Sequence, residues 1–210
     1  MRPLYFAAII AITVMAIALA VAIMKMSTTN MSSITRTTGS SEINSQQRID
    51  VRAAPITVPL PRPYSGTITG FHLALVYVNA TGSEFVCEGL PFDPATGKTP
   101  SDSALISNPP GLVTRGYCYP YSFGFDARSS DVQSVTVVSP SKEASQIYYC
   151  LVKKTAAFNA ANVPYYMTTG PNSNSFARTL LDYCKIPATK PAGATVTPGW
   201  DLVINLGERM

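Results

Sequence analysis

The sequence predicts an α+β fold, in which one N-terminal transmembrane helix precedes a small domain built from an antiparallel sheet and two packed helices. Three observations predict it. A charge-free apolar run opens the chain, segments rich in β-branched and aromatic residues alternate with Gly and Pro turns in the middle, and two apolar-periodic stretches with helix-start signals come late. No internal repeat is visible.

The apolar run is Pro3 to Met24, with Arg2 before it and Lys25 after it. As a helix it spans roughly 30 Å, the thickness of a bilayer core. A cleaved signal peptide has a shorter apolar core ending in a small-x-small site, whereas here Ala18-Leu19-Ala20 runs on into more apolar residues. Residues 1–26 are therefore expected to be a retained single-pass anchor, although the flanking charges are too even to orient it. Ser27 to Ser45 is rich in Ser and Thr, and prolines follow at 55, 59, 61 and 63. Residues 27–65 are expected to form a flexible tether with an extended end, and residues 66–210 the globular domain.

Thr67 to Asn79 and Ser83 to Gly89 read as a hairpin across Ala80-Thr81-Gly82. Residues 90–130 are loop-rich, and Val132 to Val138 is a strand. Helices are expected over about 141–160 and 175–185, with a last strand at Trp200 to Leu206.

Four cysteines stand far apart at 87, 118, 150 and 184, without C-x-x-C spacing and with a single histidine in the chain, which excludes a zinc site. Downstream of a membrane-targeting helix they imply two disulfides in an oxidising compartment. Of the three pairings, Cys87–Cys118 and Cys150–Cys184 each stay within one half of the expected fold. The domain is thus expected outside the cytoplasm, in a periplasm or at a cell surface. The formal net charge of +4 is spread thinly and is not interleaved with aromatic residues, which argues against nucleic acid as a partner. With no metal cluster and no phosphate-cradling Gly loop, no cofactor is expected.

Two places carry chemistry. His72 lies in Gly70-Phe71-His72-Leu73-Ala74-Leu75-Val76, where a histidine amid apolar residues also suits a core. Gly170-Pro171-Asn172-Ser173-Asn174-Ser175-Phe176 opens a helix; Asn and Ser are natural caps there, and a nucleophile there would also sit in a positive potential.

A G-x-H-x-A-x-V strand, an acidic hairpin partner, and a late Asn-x-Asn turn entering a helix together resemble the circularly permuted papain-like families. These are relatives of NlpC-type cell-wall peptidases that include the PPPDE peptidases and lecithin:retinol acyltransferase. The GPNSNSF string, with its Arg-Thr-Leu-Leu helix and a later Pro198-Gly199-Trp200, looks like a bacterial branch with Ser where Cys is usual, and the resemblance covers roughly residues 67–205. It implies a papain-like domain with Ser173 as nucleophile and His72 as base. A third member would orient the imidazole: Glu84, twelve residues after His72, ranks above Glu88. Backbone amides around Ser173 and Asn174 would form the oxyanion hole, with Asn172 and Asn174 at the substrate, Asn172 alternatively holding the loop. The implied activity is hydrolysis or acyl transfer at an amide or ester bond of a peptide, glycan or lipid. The serine departs from the family pattern, because a hydroxyl cannot ionise beforehand as a thiol does and must lose its proton to the base during attack. A catalytically silent binding module is one alternative; a structural part of an envelope or secretion assembly is another.

Overall fold

The structure, a computed structural model, describes residues 47–59, 66–101, 105, 109–121, 132–138, 141 and 143–207. The expected anchor and most of the tether lie outside these residues. Among the described residues no helix is long and apolar enough to cross a membrane.

Five antiparallel strands form one sheet in the order β4-β3-β2-β1-β5. They are β1 (Arg48–Pro59), β2 (Thr67–Val78), β3 (Glu84–Phe92), β4 (Val113–Pro120) and β5 (Gln133–Val138). Helices α1 (Glu143–Ala160) and α2 (Ser173–Tyr183) follow, so the α+β expectation holds for the described chain.

Two expectations need correction. Arg48–Pro59, assigned to the tether, is an inner strand of the sheet, so the ordered domain begins before residue 66. Its residues alternate Ile49-Asp50-Val51-Arg52-Ala53, and the apolar three are fully buried. Pro55 is compatible with the strand because β5 pairs with residues 49–53, which among the described residues leaves the proline in a stretch with β2 as its one neighbouring strand. Secondly, residues 202–207 form no strand. They run beside α2, where Ile204 N–H donates to Thr179 Oγ1 at 3.0 Å and Leu206 N–H to the Tyr183 hydroxyl at 2.9 Å. The loop-rich middle also yields β4, which went unforeseen.

Strand alternation sends side chains to two faces. Ile49, Val51, Leu73, Leu75 and Cys87 pack with Leu151, Phe158, Phe176 and Leu180 of the helices. Ala54, Ala74, Val76 and Val86 form a smaller cluster on the other face, with Tyr119 and Tyr121 against it. Both expected disulfides are present: Cys87–Cys118 joins facing residues of β3 and β4, and Cys150–Cys184 joins α1 to the end of α2.

One contact sets where α2 lies. Gly89 and Gly116 face each other across β3 and β4. The Phe176 ring fills the hollow they leave, since a Cβ on Gly116 would come within 2.2 Å of that ring and one on Gly89 within 2.7 Å of the Phe176 Cβ. Phe158 meets the ring edge-on at 5.0 Å. Seating Phe176 there brings the start of α2, three residues earlier, to the point where β2 and β3 separate.

Candidate functional site

β2 and β3 are paired only from Leu75–Cys87 to Val78–Glu84, at their hairpin end. The hairpin itself is organised by Asn79, whose side chain accepts from Thr81 N–H and Ser83 N–H. Beyond Leu75 the strands part, and the edge of β2 needs other partners for its peptide groups. Asn174 supplies them. Its Oδ1 accepts from Leu73 N–H at 2.9 Å, and its Nδ2 donates to Phe71 C=O at 3.0 Å and to Pro198 C=O at 3.1 Å. Phe71 N–H donates to Val196 C=O at 2.9 Å. The amide of one asparagine thus ties the start of α2 to the two residues that flank His72.

Asn172 caps α2. Its Oδ1 accepts from Asn174 N–H at 2.9 Å and Ser175 N–H at 3.4 Å, and the Ser175 hydroxyl accepts from Asn172 N–H at 2.6 Å, which completes a capping box. Its Nδ2 donates back to the Tyr166 and Met167 carbonyls at 3.3 and 3.1 Å. Gly199 lies so close to this cap that a Cβ there would stand 2.9 Å from Asn172 Oδ1, and a Cβ on Gly170 would stand 2.9 Å from Gly199 Cα. Both glycines have positive φ, +73° and +77°. The Gly170–Phe176 string and Pro198-Gly199-Trp200, far apart in sequence, are therefore one piece of structure.

These bonds change two expectations. Asn172 and Asn174 are 2% and 3% exposed and their amides are taken up inside the protein, so both build the frame: Asn172 takes its alternative role of holding the loop, and Asn174 does so in place of the expected substrate role. The Asn174 N–H, expected in an oxyanion hole, is given to Asn172. The N–H of Ser173 is the remaining candidate donor at this helix start.

The carboxylate choice also changes. His72 Nε2 lies 2.6 Å from Glu88 Oε2, and the other oxygen of Glu88 accepts from the Tyr119 hydroxyl. Glu88 is 3% exposed. Glu84 is engaged elsewhere, in a two-bond pair with Arg52 whose longer contact is 2.8 Å. Burial works against the charge of Arg52, but the hydrogen bond to Glu84 and the charges of Glu84 and Asp50 hold its pKa above the ordinary value. Asp50 in turn accepts from Arg48 at 3.2 Å and Thr136 at 2.8 Å. Glu84 thus belongs to a structural charge network, and Glu88 is the histidine's partner. A carboxylate accepts hydrogen bonds only, so it fixes the imidazole as the Nε2–H tautomer and turns Nδ1 into the acceptor nitrogen.

His72 and Ser173 line one cavity of about 340 Å³. Ser173, the first residue of α2, is 8% exposed. Among the described residues no hydrogen bond joins its hydroxyl to the His72 ring. Chemically, the arrangement puts a residue with a hydroxyl at a helix N-terminus and an imidazole partnered by a buried carboxylate on the lining of one cavity. Among the described residues no cluster of His, Cys, Asp and Glu could hold a metal ion. Comparison with known protein families, curated proteins and solved structures finds no match for this chain.

Proposed function

We propose that the domain is a serine-dependent hydrolase or acyltransferase of papain-like type, with Ser173 as nucleophile, His72 as base and Glu88 as the residue that orients the base. The observation that carries the reading is the shared cavity of Ser173 and His72, with His72 held from behind by Glu88 at 2.6 Å. As Ser173 Oγ attacks the carbonyl carbon of an ester or amide, its proton passes to His72 Nδ1. The imidazolium is stabilised by Glu88, and the oxyanion by the N–H of Ser173 and the positive end of α2. Imidazolium then protonates the leaving oxygen or nitrogen, leaving an acyl-serine. Water, deprotonated by His72, releases the acid; a second alcohol or amine in its place gives acyl transfer.

Two disulfides in a domain of this size support an oxidising compartment. With the charge-free run Pro3 to Met24, they support a single-pass membrane protein whose domain lies outside the cytoplasm.

A second reading, a catalytically silent module binding a peptide, glycan or lipid in the same cavity, is favoured by a serine standing where the resembled families carry a nucleophilic cysteine. Hydrolysis of p-nitrophenyl acetate by the purified protein separates the two. The hydrolase reading expects turnover that falls to background in both Ser173→Ala and His72→Ala. Activity that is absent in the wild type, or unchanged in both variants, supports the binding module.

A further inference from the structure

We infer that the cavity beside Ser173 is an acyl subsite for an uncharged alkyl group, an assignment that rests on Ser173 being the point of attack. The cavity of about 340 Å³ falls in the ordinary range of small-ligand pockets. Its walls include Ile56, Leu90, Pro91, Pro100 and Met167, and among the described residues lining it none carries a carboxylate, ammonium or guanidinium group. A charged acyl group would lose its hydration there with only the His72 imidazole, already engaged by Glu88, and neutral hydroxyls to meet it. An alkyl chain would gain by leaving water, roughly fourfold in affinity for each methylene buried.

A second cavity adjoins the first and shares Ile56, Tyr165, Met167 and Ser173 with it. It measures about 40 Å³, close to the volume of one water molecule. Its wall is made by the start of α2 and the Val196–Pro198 segment, and among the described residues lining it none is charged. The inequality of the two spaces assigns the acyl chain to the large one, because the small one has no room for it.

The test separates the subsite from the chemistry by using the full-length Ser173→Ala protein, which binds without turning over. Calorimetric titration with methyl acetate, methyl hexanoate and monomethyl succinate is expected to rank hexanoate at least tenfold tighter than acetate, with no measurable binding of the charged succinate. Thr57→Glu added to this protein puts a charge in an exposed wall position and is expected to weaken hexanoate at least tenfold without changing the thermal midpoint. Equal affinity for acetate and hexanoate, or tight binding of succinate, overturns the subsite. Hexanoate binding to Ser173→Ala with no ester turnover by the wild type would retain the subsite and retire the hydrolase. Turnover without chain-length preference would do the reverse.

Discussion

Glu84 and Glu88 lie on the same side of β3, four residues apart, and only their partners distinguish them. Replacing Glu88 by Gln keeps the shape but removes the charge that orients and stabilises the imidazolium. The expected result is a loss of about 10²–10⁴ in ester turnover with the thermal midpoint little changed. Glu84→Gln is expected to leave turnover within about twofold and to cost about 1 kcal/mol of stability, because its pair with Arg52 is partly exposed. Steady-state kinetics and urea unfolding of both variants check this, and the reverse ranking would return Glu84 to the site. The sequence could not make this choice. Spacing favoured Glu84 as the hairpin partner of the strand, but the hairpin is tightly paired there, and His72 lies past the point where β2 and β3 separate. The His72 strand, the helix-opening serine and the capping role of Asn172 were legible, because each is a local string with a local cause. The contact of GPNSNSF with Pro198-Gly199-Trp200 and the engagement of Asn174 were not, because their partners are distant in sequence and, for Asn174, are carbonyls and amides that any sequence carries.

The placement of α2 depends on a ring lodged over two facing glycines. Gly116→Ala puts a methyl 2.2 Å from the Phe176 ring and is expected to destabilise the domain by about 1–3 kcal/mol. Pairing it with Phe176→Leu should return part of that loss, a non-additivity measurable in a double-mutant cycle. Simple addition of the two losses would show that the ring does not seat there. The disulfide between α1 and α2 closes a loop of 34 residues. Replacing Cys150 and Cys184 together by Ala is expected to remove about 3–4 kcal/mol, read from urea unfolding under oxidising conditions. If unfolding is unchanged, the two helices do not depend on the crosslink. Both helices, the β2–β3 hairpin and β5 were readable from periodicity and turn residues. β4 was hidden because Gly116 and the surrounding Tyr and Pro residues look like a loop, although the glycine is there to admit Phe176.

The sheet as a unit was half visible. Its five-strand order rests on β1, whose alternating pattern Ile49 to Ala53 was masked by the prolines that follow it. A proline-rich stretch resembles a linker unless one knows that the pairing of β1 with β5 ends at Ala53. The packing of α1 on this sheet brings the Tyr77 and Tyr148 rings into a stack 4.6 Å apart. Burial pushes the Tyr77 hydroxyl above its ordinary pKa, and burial together with Tyr77 does the same for Tyr148. The unfolded chain therefore releases these protons near pH 10 while the folded one keeps them. This stabilisation is complete below about pH 10 and declines as pH rises through the folded values. Urea midpoints at pH 8 and pH 11 should show the fall, and Tyr148→Phe should flatten it; an identical slope in the variant would assign the alkaline loss elsewhere.

The reading of the fold as an enzyme depends on a reactive hydroxyl where α2 begins. The most direct measurement is intact-mass analysis of the purified protein after exposure to an alkyl fluorophosphonate, with peptide mapping of the adduct. The account predicts one added phosphonyl group per chain, on Ser173, absent from Ser173→Ala and strongly slowed in Glu88→Gln. No adduct on the folded wild-type protein, or an adduct that maps to another residue and persists in Ser173→Ala, would contradict it.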